Sequence, residues 1–366
     1  MGEGVGRALL DRGGDCYTIK WFPSMAIEYD IRDGRLLWIR NPYSGVVSYV
    51  VDMRGKSFAF TLGKRRAGIE PGPPPHSEAI ARAIADCPFC PGNEGLTPAE
   101  LVRVQPGEVS EWHAEGTHRH QWVIRALKNL FPRIPAELTD GQNESYIVIE
   151  DPRHFAEPPR SLDDLMWTGA LSEEQFHSLI ATDVKVMRLA LANASVRSVV
   201  IRKNQGAESG ASQPHLHHQV IGSPGILPAL EAEARVIATN PDLWPELIGL
   251  ADRLGLILEQ GDGVVTFQSP IGTFPRSYDI VVPAFRGLLT ELQPVTMHAF
   301  ARALHRMLHV LGPLPLDYEI HQGADLPLHA HLNARLFPYS NVAGTLNLPG
   351  TIIDGAAAIR HALERI

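Results

Sequence analysis

The stretch that decides the fold is "SQPHLHHQVIG", residues 212–222, which places three histidines and a glutamine within five consecutive positions. Apolar residues then run on to Gly222, a pattern that predicts a strand ending in a turn. Side chains of a strand alternate between its two faces. Three polar side chains are therefore expected to converge on one face: His215, His217 and Gln219.

Composition limits the classes of protein and partner. The 366 residues are 44% hydrophobic and 20% charged, which is typical of a globular protein with one large or two ordinary domains. The net charge of −8 argues against nucleic acid or an anionic membrane as the main partner, since such partners favour clustered Lys and Arg. We find no membrane-length apolar run and no signal peptide, and so expect a cytoplasmic protein.

The cysteines point to a metal. There are three, too few for a disulfide framework, and two of them, Cys87 and Cys90, form the segment "CPFCPGNE". Two thiolates at this spacing can bind one metal ion, which needs two further ligands from elsewhere in the chain. A redox dithiol should open a helix, whereas the prolines and glycine here favour a knuckle. A redox pair and a chance pairing stay as the alternatives.

The chain also repeats itself. The segments "VRSVVIRKNQGAESGASQPHLHHQVIG" and "PLDYEIHQGADLPLHAHLNARLFP" each follow a strand and a helical pattern, and both contain Gln-Gly-Ala. His215 and His217 of the first match His329 and His331 of the second. We infer a duplicated strand-helix-strand-strand unit of the α+β class, whose halves extend one sheet or pack face to face. The expected boundaries are a lead-in at 1–36 and domains at 37–222 and 223–366.

These segments carry a family resemblance. "HLHHQVI" resembles the His-φ-His-φ-His/Gln-φ-φ motif (φ, apolar) of the histidine triad (HIT) superfamily, in the branch where the last His is Gln. "NQGAESGASQPHLHHQ" resembles the matching segment of galactose-1-phosphate uridylyltransferases and related nucleotidylyltransferases, and the similarity runs from about Arg40 to Pro338. The resemblance implies two tandem HIT-like units, each an antiparallel sheet with packed helices.

The same resemblance implies a reaction. His217 would attack the α-phosphorus of a nucleotide sugar and form a covalent nucleotidyl-histidine, which a sugar 1-phosphate then discharges. Gln219 would donate its amide to a phosphoryl oxygen, and Ser212 would lie at the phosphates. A departing phosphate has a second pKa near ~6 and needs no general acid, so a glutamine suits a transferase. UMP is the expected group, and a phosphorylase or hydrolase specific for adenylyl or guanylyl groups is the alternative.

The substrate-binding residues are also implied by the resemblance. Arg54 falls where the family has a phosphate-binding arginine, although a solvated cation at a strand end is its alternative. Asn129 matches an asparagine near the nucleotide, and Asn204 would position the nucleophile loop or touch phosphate. The full set is Arg54, Asn129, Asn204, Gly206, Ala207, Gly210 and Ala211.

Two metal sites follow from the comparison. His154 and His215 would complete a structural zinc site with the two cysteines. His215 would thereby anchor the strand that carries His217. The second set suits zinc or iron, with Glu231 as a rival to its glutamate and an accidental member as the alternative. Its members are Glu233, His321, His329 and His331.

The resemblance weakens at the sugar end. The loop before the second His-x-His is only "QGADLP", and "NVAGTLNLPGTIID" has no glutamate at the family's position. The sequence therefore does not identify the sugar, the base or the acceptor. A homodimer is expected from the resemblance, and a non-enzymatic zinc-binding interaction protein is the remaining alternative class.

Overall fold

The computed structural model describes residues 27–51, 77–109, 122–134, 139–335, 345–353 and 355–366. Its strands and helices form two sheets with helices packed on them. Within these ranges no helix is long and apolar enough to cross a membrane.

A small sheet is built around the first hairpin. Its strands are β1 (Tyr29–Arg32), β2 (Arg35–Arg40), β3 (Val47–Val51) and, parallel to β3, β14 (Thr345–Pro349). The β2–β3 turn forms because the Asn41 side-chain oxygen accepts the amide N–H of Tyr43 at 2.8 Å and Gly45 adopts a φ of 72°. The hairpin thus follows from the turn chemistry of "NPYSG", residues 41–45. Strand β1 and the start of β2 lie within the segment interpreted as a lead-in.

The first half of the large sheet follows. Its elements are α1 (Ser77–Asp86), β4 (Glu100–Val104), β5 (Ile124–Lys128), β6 (Glu144–Ile149), α2 (Glu173–Leu191), β7 (Ser198–Gln205) and β8 (His217–Ser223). Helix α2 begins where the Ser172 hydroxyl accepts the amide N–H of Gln175, and acidic residues in its first turn favour the helix dipole.

The second half repeats this order. After α3 (Pro228–Thr239) and α4 (Leu243–Arg253) come β9 (Ile257–Gly261), β10 (Val264–Gln268), β11 (Ser277–Val282), α5 (Pro294–Leu311), β12 (Leu316–His321) and β13 (Leu328–Ala334). The chain closes with α6 (Gly350–Ile353) and α7 (Ala356–Leu363). Helix α5 starts on a proline, which needs no N–H partner there, and ends at Gly312 with a φ of 72°.

The two halves form one antiparallel sheet in the order β4-β5-β6-β8-β7-β12-β13-β11-β10-β9. Reading outward from the central β7–β12 pair gives the same sequence of equivalent strands in both directions. Helices α2 and α5 cover one face, where the main apolar core includes Phe176, Leu179, Phe300 and Leu304. The predicted α+β class and the internal duplication are confirmed, and the halves extend one sheet.

Candidate active site and metal centres

Strand β8 places its histidines on opposite faces. His218 points toward helix α2, where its Nδ1 lies 2.7 Å from Asp183 Oδ2. Because neighbouring side chains alternate, His217 and Gln219 point to the other face, away from α2. Both line a cavity of about 340 Å³. The convergent polar face predicted from the sequence therefore opens onto a cavity of the size that binds small molecules.

The His217 ring is held in one tautomer. Its Nδ1 lies 2.9 Å from the His215 carbonyl oxygen, and since a carbonyl only accepts, Nδ1 carries the proton. The Nε2 lone pair is then available for attack. Burial, and then the positive charge of Lys203, lower the pKa of His217 to about 4, so the ring is neutral near pH 7. Phe89 packs edge-on to the ring with centroids 5.4 Å apart.

The rest of the cavity wall divides into polar and apolar parts. Polar side chains near the histidine include Ser212 and Asn129, both singled out from the sequence, and Gln213, which was not. The Asn129 side-chain oxygen accepts the amide N–H of Phe131 at 2.9 Å and so shapes the wall. Sequence reasoning also missed the remaining wall: Pro88, Phe89, Leu96, Thr97, Pro98, Leu127, Lys128, Leu130, Phe131, Arg133 and Ile147.

The glycine-containing loop before β8 lies next to this cavity. Gly206 and Gly210 have φ angles of 81° and 82°, the left-handed region that favours glycine. The Asn204 amide donates to the Ser209 carbonyl across the loop, and the Ser209 hydroxyl donates to the Gly206 carbonyl at 2.8 Å. Asn204 thus shapes the loop. Ala207 and Ala211 lie within it, and Arg54 lies outside the described residues.

The first candidate metal-binding group is buried beside strand β8. Its four members are those expected from the resemblance: Cys87, Cys90, His154 and His215. Cys90 Sγ lies 3.3 Å from His154 Nδ1 and 3.5 Å from His215 Nδ1, and Cys87 Sγ lies 3.6 Å from His215 Nδ1. Tetrahedral zinc with its usual bond lengths needs sulfur–nitrogen edges of about 3.6 Å. The geometry fits such an ion.

Hydrogen bonds made by the candidate ligands of this group favour metal binding. The His215 Nε2–H donates to the Asp151 carbonyl at 2.8 Å, which leaves Nδ1 unprotonated toward the cysteines. The hydrogen bond from Cys90 lowers the pKa of the Cys87 thiol, although burial opposes this. A thiolate, the form that binds metals, is therefore favoured here.

The second candidate metal-binding group lies in the second half of the sheet, where His329 and His331 on β13 match His215 and His217 of the first half. It contains Glu233 with three histidines, His321, His329 and His331. His321 Nδ1 lies 2.9 Å from Glu233 Oε1, and the Nε2 atoms of His329 and His331 are 3.1 Å apart. Tetrahedral zinc requires nitrogen–nitrogen edges of about 3.3 Å, so this group also fits a metal ion. Glu231 is exposed, whereas Glu233 is buried against the histidines.

Outer contacts orient the second group. His329 Nδ1 donates to the Pro327 carbonyl at 2.6 Å, and His331 Nδ1 lies 2.6 Å from Asp279 Oδ1. Both rings therefore present Nε2 to the centre. Burial opposes protonation of His331, but the Asp279 and Glu233 carboxylates outweigh it and raise its pKa to about 10. His321, joined by the hydrogen bonds of His329 and His331, holds the pKa of Glu233 well below its usual range despite its burial. The Glu233 and Asp279 carboxylates thus bring negative charge to the group, which favours either a proton on His331 or a metal cation in its place.

Comparison with known proteins agrees with this description. Residues 140–276 match a protein family described as a domain of unknown function, DUF4921. A curated relative, ADP-glucose phosphorylase from Arabidopsis thaliana, is 26% identical over 183 residues, which are 46% of this chain and 44% of that protein. The matched region thus spans less than half of that relative's length.

Solved structures share the fold over a longer range. An ADP-glucose phosphorylase from Arabidopsis thaliana with bound ADP-glucose has 18% identity and a TM-score of 0.60, covering 92% of this chain and 98% of that one. A uridylyltransferase has 19% identity and a TM-score of 0.57, covering 89% and 98%. The chain therefore has the fold of solved uridylyltransferase and ADP-glucose phosphorylase structures, as the resemblance stated from the sequence predicted.

Proposed function

We propose that this chain transfers a nucleoside monophosphate from a nucleotide sugar by a ping-pong route through a covalent nucleotidyl-His217. The observation that carries the proposal is the tautomer of His217, whose Nδ1 proton is held by the His215 carbonyl while the ring lines a cavity with Ser212 and Gln219. A neutral imidazole with a free Nε2 is a competent nucleophile.

The reaction has two balanced steps. The Nε2 lone pair attacks the α-phosphorus, a phosphorus–nitrogen bond forms, and the bond to the bridging oxygen breaks to release sugar 1-phosphate. In the second step an oxygen of an acceptor phosphate attacks the same phosphorus and releases the histidine. The leaving group departs as a phosphate and takes no proton from the protein. Gln219 would donate to a phosphoryl oxygen as negative charge builds there.

The two candidate metal-binding groups are suited to hold neighbouring strands and loops in position. A zinc ion bound by the cysteine group would tie His215, and with it strand β8, to the loop that carries Phe89 in the cavity wall. Each group would hold zinc, with iron as the alternative for the second. The same resemblance supports a cytoplasmic location and a homodimer, and light scattering of the purified protein tests the dimer.

Two donor–acceptor pairs are the candidates. The family resemblance supports UMP transfer between a UDP-sugar and a sugar 1-phosphate. The ADP-glucose phosphorylase found in both the sequence and the fold comparison supports the second pair, an ADP-sugar with inorganic phosphate as acceptor. Hydrolysis differs from both, since water would discharge the intermediate.

Intact-protein mass spectrometry tests the proposal. The purified chain is incubated separately with UDP-glucose and ADP-glucose, and the mass increment of the covalent adduct identifies the base. His217→Ala should abolish the adduct, whereas His298→Ala, an exposed histidine on α5, should not. Discharge by glucose 1-phosphate, phosphate or water then identifies the acceptor. Failure of a panel of nucleotide sugars to form any adduct would contradict the proposed function.

A further inference from the structure

A row of polar side chains crosses the large sheet between the two sites. On adjacent strands Gln219 pairs with Arg202, Arg202 with Glu319, and Glu319 with His331. Directly paired residues in an antiparallel sheet point to the same face. The row therefore joins the nucleophile strand β8 to the second metal-binding group on the face opposite helix α2.

Arg202 contacts the second group through one carboxylate. Its Nη1 lies 3.1 Å from Glu319 Oε1, and Glu319 Oε2 lies 3.4 Å from His321 Nε2. His321 presents its other nitrogen, Nδ1, to Glu233. An ion bound through Nδ1 would leave the proton on Nε2, and Nε2 would then donate to Glu319. Ligation would thus fix the position of the carboxylate that holds Arg202.

Arg202 also contacts the loop side of the sheet. Its Nε donates to the Asn204 side-chain oxygen at 2.8 Å, and the Asn204 amide nitrogen donates to the Ser209 carbonyl. A guanidinium donates and never accepts, so it decides which way the Asn204 amide faces. Without Arg202 the amide could rotate and present its oxygen to the Ser209 carbonyl, where two acceptors would repel.

We propose that Arg202 is a positioning residue that couples the second metal-binding group to the loop at 206–212 beside the candidate nucleophile. The contacts run without a break from His321 to Glu319 by a hydrogen bond, from Glu319 to Arg202 by an ion pair, and from Arg202 through Asn204 to the loop backbone by hydrogen bonds. The inference rests on the proposed function in one respect, because it assigns that loop to the phosphates of the substrate. Under this proposal, the second metal-binding group holds the loop at 206–212 in the conformation that binds the substrate phosphates.

Hydrogen–deuterium exchange of the full chain tests the coupling in the absence of substrate. The four proteins are wild type, Arg202→Met, His331→Ala to remove the second metal, and the double variant, each with its metal content measured. Both single variants should raise amide exchange at 206–212 several-fold. The double variant should exchange no faster than the faster single variant, since both changes break one chain of contacts.

Additive effects in the double variant, or unchanged exchange in Arg202→Met, would overturn the proposal. So would a wild-type protein that holds no metal in the second group. The matched control is Arg306→Met, because Arg306 also pairs with a carboxylate, Glu259, at 3.2 Å and lies away from the loop. It should leave exchange at 206–212 unchanged.

Adduct formation gives a second readout. Loss of an outer contact of this kind typically costs about 10- to 100-fold in activity, so Arg202→Met should slow nucleotidylation by that factor while the protein keeps its melting temperature within a few degrees. Arg202→Lys keeps the charge and should restore part of the rate. Arg202→Lys no faster than Arg202→Met would count against the role. If wild type forms no adduct, the proposed function fails, and the exchange comparison still decides the coupling.

Discussion

At the residue scale, the chemistry of His217 depends on contacts that no local pattern contains. Strand alternation alone predicts that His217 and Gln219 share a face. The available nitrogen, in contrast, is set by a hydrogen bond to the His215 carbonyl, and the neutral charge state by burial and Lys203. The edge-on packing of Phe89 restricts the ring further. A candidate nucleophile can therefore be named from the sequence. Its tautomer and its charge state are set by residues that surround it only in the folded protein.

The role proposed for Gln219 predicts a graded loss of rate. Gln219→Ala removes one donor to the phosphoryl oxygens and should slow adduct formation by about 100- to 1,000-fold. The loss should be smaller than that of His217→Ala, which removes the attacking atom. Stopped-time mass spectrometry of the adduct measures both rates. Equal rates for wild type and Gln219→Ala would contradict the role, and Gln260→Ala, at an exposed position, serves as the control.

At the element scale, the cysteine knuckle shows what spacing can predict. The pair at Cys87 and Cys90 is local and was interpreted directly from its C-x-x-C spacing. The ligands His154 and His215 lie 64 and 125 residues from Cys90 along the chain. They were assigned from a family resemblance, because spacing gives no information about contacts made across a sheet. The fold brings all four donor atoms within 4.8 Å of one another.

Removing one thiolate should release the metal and weaken the fold. For Cys87→Ser we expect the loss of about one zinc equivalent and a clear fall in melting temperature, because structural zinc contributes its binding energy to folding. Metal analysis by mass spectrometry and thermal unfolding measure the two effects. Cys16→Ser is the control and should change neither. A Cys87→Ser protein with full metal content would contradict the zinc assignment.

The repeated Gln-Gly-Ala segments have a matching structural role in the two halves. Gln205 accepts the Thr168 amide N–H at 3.1 Å and donates to the Leu314 carbonyl in the second half at 2.8 Å. Gln322 accepts the Leu289 amide N–H and donates to the Val199 carbonyl in the first half. Each glutamine therefore ties its own half to the other. The sequence match predicted the duplication, and the crossing of the bonds is visible only in the structure.

Removing the hydrogen bonds of one of these glutamines should destabilise the protein. Gln322→Leu leaves buried backbone groups unpaired and should lower the free energy of unfolding by about 1–3 kcal/mol. Denaturant unfolding measures the change, with Gln260→Leu on the exposed surface as the matched control. A change no larger than that of the control would show that the crossed bonds do not hold the halves together.

At the scale of the whole molecule, charged side chains are buried where α2 meets the sheet. Lys203 and Glu150 form an ion pair with exposures of 1% and 0%, and the Thr168 hydroxyl donates to Glu150 at 2.7 Å. His218, which had no role in the sequence interpretation, bridges Asp183 and the Tyr318 hydroxyl of the second half. Apolar contacts and a buried polar network therefore join the halves together.

Breaking the pair should destabilise the protein strongly. Lys203→Met leaves the Glu150 carboxylate unpaired and should cost about 3–5 kcal/mol. Adding Glu150→Gln, which keeps an acceptor for Thr168 without the charge, should recover part of that loss. The control is the ion pair of Lys128 with Glu144, whose lysine is 51% exposed, so Lys128→Met should cost at most about 1 kcal/mol. Chemical denaturation measures all four proteins, and a Lys203→Met loss as small as the control would contradict the argument.

The same pair predicts a pH dependence. Burial raises the pKa of Glu150, but Lys203, and then His218, outweigh it and lower the pKa below the usual value. Its contribution to stability is therefore complete above the unfolded pKa of about 4.3 and is lost as the pH falls through the lower folded value. The stability difference between wild type and Lys203→Met should narrow as the pH falls from 7 to below about 4, because Glu150 becomes protonated first in the variant and then in wild type. A difference that stays constant from pH 7 to pH 3 would contradict this sign.

The sequence by itself determined the repeated unit, the strand that carries the histidines and the knuckle, because period, turn chemistry and ligand spacing are local properties of a chain. Only the tertiary structure decided how the halves join at β7 and β12 and which residues line the cavity with His217. It alone revealed Arg202 between the second metal-binding group and the loop. These features depend on strand order and on contacts between residues that are far apart in the chain. Such contacts produce no local or periodic pattern from which the sequence could predict them.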